Sequence, residues 1–367
     1  MYNRKKIALV GGGTAGHITP NVALIPELKN RGYKIIYIGS KGGMEERIMS
    51  KIGIPFFGVT SDKLRRYFDI KNFAMPFNVL KGIKEAREIL KKQKVDIIFS
   101  KGGFVAVPIV IAGSRLHIPI ISHEADITPG LANKIAAPVS KVICCNFEEA
   151  AKSFGKKGVH TGSPIRQELL NGDKKKALDF LNFKSEKPII FVTGGSLGST
   201  YINELIRKNL NKLLYRYNIV HQCGVGKGSQ NLPVQTDESL RDILKDGYRE
   251  FEIISDELPD IFAASDFVIS RAGANIIFEL LALKKPSLLI PLSKKASRGD
   301  QILNANSFEK KNYAVVLTEE DEDNRPWLFL EKIEELENKK STMIDAMNRA
   351  YENDAINKIC DIIDKNI

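Results

Sequence analysis

The sequence predicts an α/β protein of two domains, each a doubly wound parallel sheet, facing each other across a cleft. Three observations carry this. Short apolar strands alternate with helical stretches along both halves, the pattern of a parallel sheet covered by helices on both faces. Two glycine-rich strand-to-helix junctions lie half a chain apart: residues 7–10 run into Gly11-Gly12-Gly13-Thr14-Ala15-Gly16-His17, and residues 189–193 into Gly194-Gly195-Ser196-Leu197-Gly198. At 367 residues the chain also exceeds the size at which one core usually stays single.

In order, the first strand at residues 7–10 is followed by an amphipathic helix at 21–31 and a second strand at 33–38. Apolar runs bounded by turn residues predict further strands at 95–99, 118–121 and 141–144. The pattern restarts at Pro188, with strands expected at 189–193, 217–221, 251–254, 267–270, 287–290 and 314–317. Between the halves, Gly162-Ser163-Pro164 is followed by a charged helix without a strand, which sets the domains at 1–162 and 163–343. The tail, 344–367, reads as helix and is free to pack back on the first domain. Ligands of open parallel sheets sit beyond the carboxyl ends of the strands, where all the glycine loops fall, so the site is expected in the cleft.

Lys and Arg total 55 against 44 acidic residues, a formal net charge of +11 that favours phosphates, nucleic acid or acidic lipid as partners. The four cysteines form neither a CxxC pair nor a disulfide framework, since Cys144 and Cys145 are adjacent and Cys223 and Cys360 lie far off. They read as buried thiols of a reducing cytoplasm. The first strand begins too close to the N-terminus to leave room for a signal peptide, and no apolar run approaches the ~20 residues needed to cross a bilayer. A cytoplasmic chain that does not span a membrane is therefore expected.

Glycine lets a backbone approach a phosphate, and the helix that follows presents free N–H groups carrying about half a positive charge. Gly11, Gly13 and Gly16 also satisfy G-x-G-x-x-G, which makes a dinucleotide enzyme the first rival. That fingerprint needs an acid about 20 residues on, at the end of the second strand, to bind a ribose diol. Here the strand ends Ile38-Gly39-Ser40-Lys41, and the lysine suits only a 2′-phosphate. His17, on the anion-binding loop, is a candidate base or hydrogen-bond donor. Ser100-Lys101-Gly102-Gly103-Phe104 forms a second loop on the same edge, and His123-Glu124-Ala125-Asp126 opens a third. The third begins like a zinc-protease helix, but the position four after His123 is Ile127, so that reading fails. In the second half, Ser270-Arg271-Ala272-Gly273-Ala274-Asn275 leads into a helix carrying Glu279, whose carboxylate accepts hydrogen bonds only and suits a ribose diol. Arg298-Gly299-Asp300-Gln301 offers polar groups suited to sugar hydroxyls.

The ordered set of these loops, with Gly162-Ser163-Pro164-Ile165-Arg166 and Asp300-Gln301, resembles the MurG family of UDP-N-acetylglucosamine transferases of lipid-linked peptidoglycan synthesis, over nearly the whole chain. The resemblance implies a GT-B fold of two Rossmann-like domains, inversion at the anomeric carbon, and neither metal nor cofactor. By motif, Arg166 and Ser196 would hold the UDP-GlcNAc diphosphate, and Gly273, Ala274 and Asn275 would present helix-start donors. Glu279 would take the ribose hydroxyls, Gln301 the sugar, and Ile254-Ser255 the uracil. Thr14, Ala15 and Gly16 would complete the donor site. The diphosphate of the acceptor, undecaprenyl-diphosphate-MurNAc-peptide (lipid I), would rest on Gly13 and Thr14 and on Gly102 and Gly103. The family often has glycine where Ala15 stands and asparagine where Asp126 stands.

In the chemistry so implied, the MurNAc 4-hydroxyl attacks the GlcNAc anomeric carbon as UDP departs. His17 is the first candidate base and Asp126 the second, with Arg166 and the helix N-termini supplying positive potential. Asp321-Glu322-Asp323 has the carboxylate spacing of metal-dependent glycosyltransferases but falls in an acidic turn after the last strand. Arg65, Arg66, Phe68, Phe73 and Phe77, among further lysines, combine basic and aromatic character in the acceptor domain. They are expected to dock the protein peripherally on the anionic cytoplasmic face of a bacterial cell membrane. Cell-wall synthesis proteins are admitted as further partners, and nucleic acid is not expected. Two alternatives stay open: a GT-B enzyme with another lipid acceptor such as diacylglycerol, and a non-catalytic nucleotide-sugar-binding membrane scaffold.

Overall fold

The computed structural model describes residues 5–61, 75–195, 197–228, 244–294, 297–350 and 354–367. The chain divides into two compact units, residues 1–166 with 352–367, and residues 167–351. Each is built on one sheet whose strands all run parallel.

The first unit holds β1 (Lys6–Val10), β2 (Lys34–Ser40), β3 (Phe56–Val59), β4 (Ile97–Ser100), β5 (Ile120–Glu124), β6 (Val142–Cys145) and β7 (Gly158–His160), in the spatial order β3-β2-β1-β4-β5-β6-β7. Alternate residues of β1 serve opposite faces, as the two-residue strand period requires. Ile7 and Leu9 join Tyr37, Phe99 and the helix Thr19–Asn30 on one side. Ala8 and Val10 join Ile36, Ile98 and the helix Ala106–Arg115 on the other.

The tail, read as one helical stretch, forms two helices, Lys340–Ala350 and Ala355–Asp364. The first belongs to the second unit, and the last returns to the first unit. There it buries Ile359, Cys360 and Ile363 against the β1 side of the core. Each buried isoleucine contributes roughly 1.5–3 kcal/mol. Arg31 fixes the orientation by reaching Asp361 at 2.6 Å and Asp364 at 2.7 Å.

The second unit holds β8 (Ile189–Thr193), β9 (Asn218–Gln222), β10 (Tyr248–Phe251), β11 (Phe267–Ser270), β12 (Ser287–Leu289) and β13 (Ala314–Val316), in the order β10-β9-β8-β11-β12-β13. The strand expected at 251–254 thus sits earlier in the chain, at β10. Ile253 is exposed, and only Ile254 of the later pair is buried. Asp321-Glu322-Asp323, expected in a turn, lies in the short helix Glu319–Asn324, whose first turn is capped by Thr318 Oγ1 accepting from the Asp321 N–H at 3.1 Å.

Both sheets reverse their winding direction beside their first strand. In such a sheet the loops after the two strands flanking the reversal enclose a crevice, and ligands bind there. In the first unit these are the loops after β1 and β4, and in the second those after β8 and β11. The strand orders therefore bring together, within each unit, the two glycine loops that the sequence shows about 80–90 residues apart.

Candidate active site

In the first unit the two loops interlock. Gly13, Gly102 and Gly103 take φ values of +81°, +87° and +82°, which disfavour any residue with a side chain. A Cβ on Gly103 would lie 2.9 Å from the Gly12 carbonyl and 3.2 Å from the His17 ring. Gly13, Thr14 and Gly16 form the exposed rim, while His17 is half-buried with its Nδ1 sealed from solvent and without a hydrogen-bond partner. Burial, and after it the charge of Lys101, push the His17 imidazole down to about 4, so it is neutral at neutral pH.

Beneath the loops lies a cluster of buried ionisable groups. Lys101 is 1% exposed, and its Nζ has no hydrogen-bond partner. Burial lowers its ammonium to about 8, opposed by the attraction of Glu124 and Asp126. The structure thus supplies the lysine whose charge offsets Asp126, the position where the family often carries a neutral asparagine. Asp126 itself is half-buried, and its N–H donates to Glu124 Oε1 at 3.1 Å. Glu124, buried at the end of β5, organises the whole turn. It accepts from the N–H groups of Ala125 at 2.9 Å and Gly130 at 2.8 Å, and from Asn133 Nδ2 at 2.9 Å. Burial raises its carboxyl pKa despite these bonds. His123 beside it is buried, held neutral by desolvation and by the Lys101 charge.

Glu45 is a residue the sequence reading passed over. It is fully buried in the first turn of the helix Met44–Lys51, where Oε1 accepts from the Ser40 N–H at 2.8 Å. A Cβ on Gly12, Gly39 or Gly43 would collide with its side chain. The acid missing from the end of β2 is therefore present a few residues later, turned inward to fix the first glycine loop. Its sequence signal is the set of glycines that make room for it.

In the second unit the crevice is open. Gly195, at φ +82°, and Gly273 each have no atom within 4 Å of a Cβ position. Gly273 precedes the helix Ala274–Ala282, so its open face adjoins a helix N-terminus. Asn304 Nδ2 donates to the Ala272 carbonyl at 3.3 Å and pins this junction. Ala274 is buried, while Asn275 and Glu279 on the same helix are half-buried. Ser255 is exposed beside buried Ile254. Gln301 Oε1 accepts from the Leu292 N–H at 3.1 Å, which orients its side chain at the start of the helix Asp300–Lys310. Arg271, within the quoted motif, turns onto the fold. It donates to the Ile290 carbonyl at 3.0 Å and pairs with Glu319 at 2.7 Å. Arg166, at the end of the first unit, is half-buried with its Nε enclosed and without a hydrogen-bond partner. Ser196 lies outside the described residues, as do Arg65, Arg66, Phe68 and Phe73.

Two parallel sheets of this strand order, each with paired glycine loops at its reversal point, make the architecture of a GT-B glycosyltransferase. The glycosyltransferase family 28 N-terminal domain matches residues 7–144, and the C-terminal domain of that family matches residues 189–365. The chain is 54% identical over 368 residues to a UDP-N-acetylglucosamine--N-acetylmuramyl-(pentapeptide) pyrophosphoryl-undecaprenol N-acetylglucosamine transferase of Clostridium botulinum (strain Alaska E43), covering 100% of this chain and 99% of that protein. An enzyme of the same name from Clostridium perfringens (strain ATCC 13124) is 54% identical over 361 residues, with 98% of both chains covered. The crystal structure of Acinetobacter baumannii MurG shares the fold at a TM-score of 0.73 and 24% identity, over 98% of this chain and 99% of that one. The chain belongs to glycosyltransferase family 28, in its MurG branch of UDP-N-acetylglucosamine transferases.

Proposed function

We propose that the protein transfers GlcNAc from UDP-GlcNAc to the 4-hydroxyl of MurNAc in lipid I, forming lipid II for peptidoglycan synthesis. The observation that carries this is 54% identity over the full chain to an enzyme named for that reaction. The open crevice of the second unit supports placing the donor there, with its diphosphate at Gly195, Ser196 and the Gly273-Ala274-Asn275 helix start. Glu279 would take the ribose, Ser255 the uracil and Gln301 the sugar. The interlocked loops of the first unit would hold the acceptor diphosphate, with Thr14, Ala15 and Gly16 also meeting the donor. In the reaction the MurNAc 4-oxygen bonds to the anomeric carbon as the bond from that carbon to UDP breaks. The electron pair leaves with UDP and the hydroxyl proton passes to His17, or to Asp126 should His17 not serve. One in-line displacement inverts the anomeric centre. Arg166 and the helix N-terminus would stabilise the departing diphosphate. Mixing the protein with labelled UDP-GlcNAc and lipid I tests this: labelled lipid II is the expected product. Transfer of the labelled GlcNAc to diacylglycerol rather than to lipid I when both lipids are supplied, or transfer to neither, would overturn it.

Among the described residues no group of three His, Cys, Asp or Glu side chains is placed to hold a metal ion. Turnover is therefore expected to persist in excess EDTA. Loss of activity restored by magnesium or manganese would contradict this.

Glu279→Gln keeps the side-chain shape but removes the charge and one strong acceptor. A hydrogen bond to a charged group is typically worth ~1.5–3 kcal/mol, so the KM for UDP-GlcNAc should rise by about 10–100-fold with the lipid I KM little changed. An unchanged donor KM would make Glu279 an ordinary helix residue.

Among the described residues no helix is long and apolar enough to cross a membrane. We place the protein peripherally on the cytoplasmic face of the cell membrane, because a lipid diphosphate acceptor stays in the bilayer. Phe77 and Leu80 on the helix Met75–Gln93 are 74% and 60% exposed, which supports docking through this region. Arg65→Glu with Arg66→Glu should reduce cosedimentation with anionic vesicles and leave UDP-GlcNAc affinity intact, since anionic lipid offers about 1 kcal/mol per nearby basic residue. Unchanged cosedimentation would move the membrane face elsewhere.

A further inference from the structure

Gln222 ends β9, the strand between β8, which leads into the second-unit glycine loop, and β10, which leads toward the uracil segment. Its Cα is paired with Thr193 on one side and with Phe251 on the other. The side chain is buried, and its amide is spent in both directions. Nε2 donates to Thr193 Oγ1 and to the Gly195 carbonyl, each at 3.3 Å. Oε1 accepts from the Ile254 N–H at 3.2 Å. Thr193 Oγ1 in turn accepts from the Gly195 N–H at 3.1 Å, so both backbone polar groups of Gly195 are held.

Gly195 needs such holding. It sits at φ +82° with no atom within 4 Å of a Cβ position, and besides the Gly198 N–H, which donates to its carbonyl at 3.0 Å within the loop, only Gln222 and Thr193 among the described residues tie it to the sheet. Fixing the carbonyl fixes the plane of the peptide that carries it. The residues after Gln222 add to the grip. A Cβ on Gly198 would collide with the Cys223 carbonyl, which also accepts from Asn203 Nδ2 at 2.9 Å. Lys227 Nζ donates to the Gly198 carbonyl at 3.1 Å.

We propose that Gln222 is a positioning residue that couples the phosphate loop to the base segment, so that high affinity for a uridine diphosphate ligand, as against its uridine half alone, depends on this one amide. The inference rests on the donor placement proposed above. A ligand spanning both segments gains from finding them already in register, because the ordering cost is met before it binds. A ligand touching the base segment alone gains little.

The test is titration of the wild-type protein, Gln222→Glu and Thr193→Val with UDP and with uridine, alongside turnover and thermal midpoint. Gln222→Glu keeps an acceptor for the Ile254 N–H and removes the donors to Gly195 and Thr193. Thr193→Val keeps the shape and removes the shared hydroxyl, and it carries the test alone should Gln222→Glu not fold. The expected result is a rise of about tenfold in Kd for UDP, with Kd for uridine within about twofold and kcat at saturating donor within about threefold of wild type. Equal losses for UDP and uridine would reduce Gln222 to a prop of the sheet and overturn the proposal, as would an unchanged Kd for UDP. Wild-type protein that binds neither ligand would instead overturn the donor placement, a result read before any variant is made.

Discussion

His17→Ala should lower kcat by about 10²–10⁴-fold with UDP-GlcNAc affinity nearly unchanged, the typical contribution of a general base that does not bind the donor. The imidazole is neutral at neutral pH because burial and the Lys101 charge hold it at about 4. A base must be unprotonated to act, so activity dependent on His17 is present above this value and lost as pH falls through it. In the free enzyme the kcat/KM profile should then be flat from about pH 7.5 to about pH 5.5, with no limb at the ordinary histidine value near 6.5. The same shift makes a stability statement of defined sign. The unfolded chain takes up the proton near 6.5 and the folded chain only near 4, so folding weakens as pH falls between the two. Near-normal kcat in His17→Ala would make the histidine a packing element of the interlocked loops. Asp126→Asn would then be the variant to measure.

The central strands were legible because buried parallel strands are continuous apolar runs bounded by glycines and helices. β8 and β11 fall where the sequence places them, at residues 189–193 and 267–270. The edges were not. β3, β7 and β10 border only one strand each. β7 is three residues with Val159 38% exposed, and β10 carries Arg249 and Glu250, so neither shows an apolar run. Glu250 is instead paired with Arg207 at 2.6 Å. The glycine loops could be read as anion sites from sequence, but their pairing across each reversal point needed the strand order. Inward-facing polar residues were the least visible. Glu45, Lys101, Glu124 and Gln222 are residue types that usually face solvent, and only the tertiary fold turns them in. The repeated signal near three of them is a glycine cluster: Gly42-Gly43 before Glu45, Gly102-Gly103 after Lys101, and Gly224 and Gly226 after Gln222.

Lys101→Met should stabilise the fold and impair the enzyme. The ammonium titrates near 10.5 when unfolded and at about 8 when folded. As pH falls from 10.5 the unfolded chain binds the proton first, so the penalty grows between these values and is fully present below about 8. At neutral pH the shift corresponds to about 3 kcal/mol against folding, with the attraction of Glu124 and Asp126 already counted in it. Methionine fills similar space without the charge, and Glu124 keeps its hydrogen bonds to Ala125, Gly130 and Asn133, which separates this change from the loss of one partner of a simple buried ion pair, typically a cost of about 3–5 kcal/mol. Over a unit of this size the thermal midpoint should rise by about 5–10 °C. A buried ammonium without a hydrogen-bond partner, kept beneath two glycine loops, is what an anionic ligand would use. Its loss should lower kcat/KM for lipid I by about tenfold or more, with the KM for UDP-GlcNAc unchanged. The variant would also relieve His17 of the Lys101 charge, the lesser of the two effects that depress it, so the acid limb of the kcat/KM profile should move upward from about 4 while burial keeps it below the ordinary histidine value. A stability gain with normal lipid I turnover would show that the buried charge serves no substrate. A loss of several kcal/mol would show instead that Glu124 and Asp126 need Lys101 to fold.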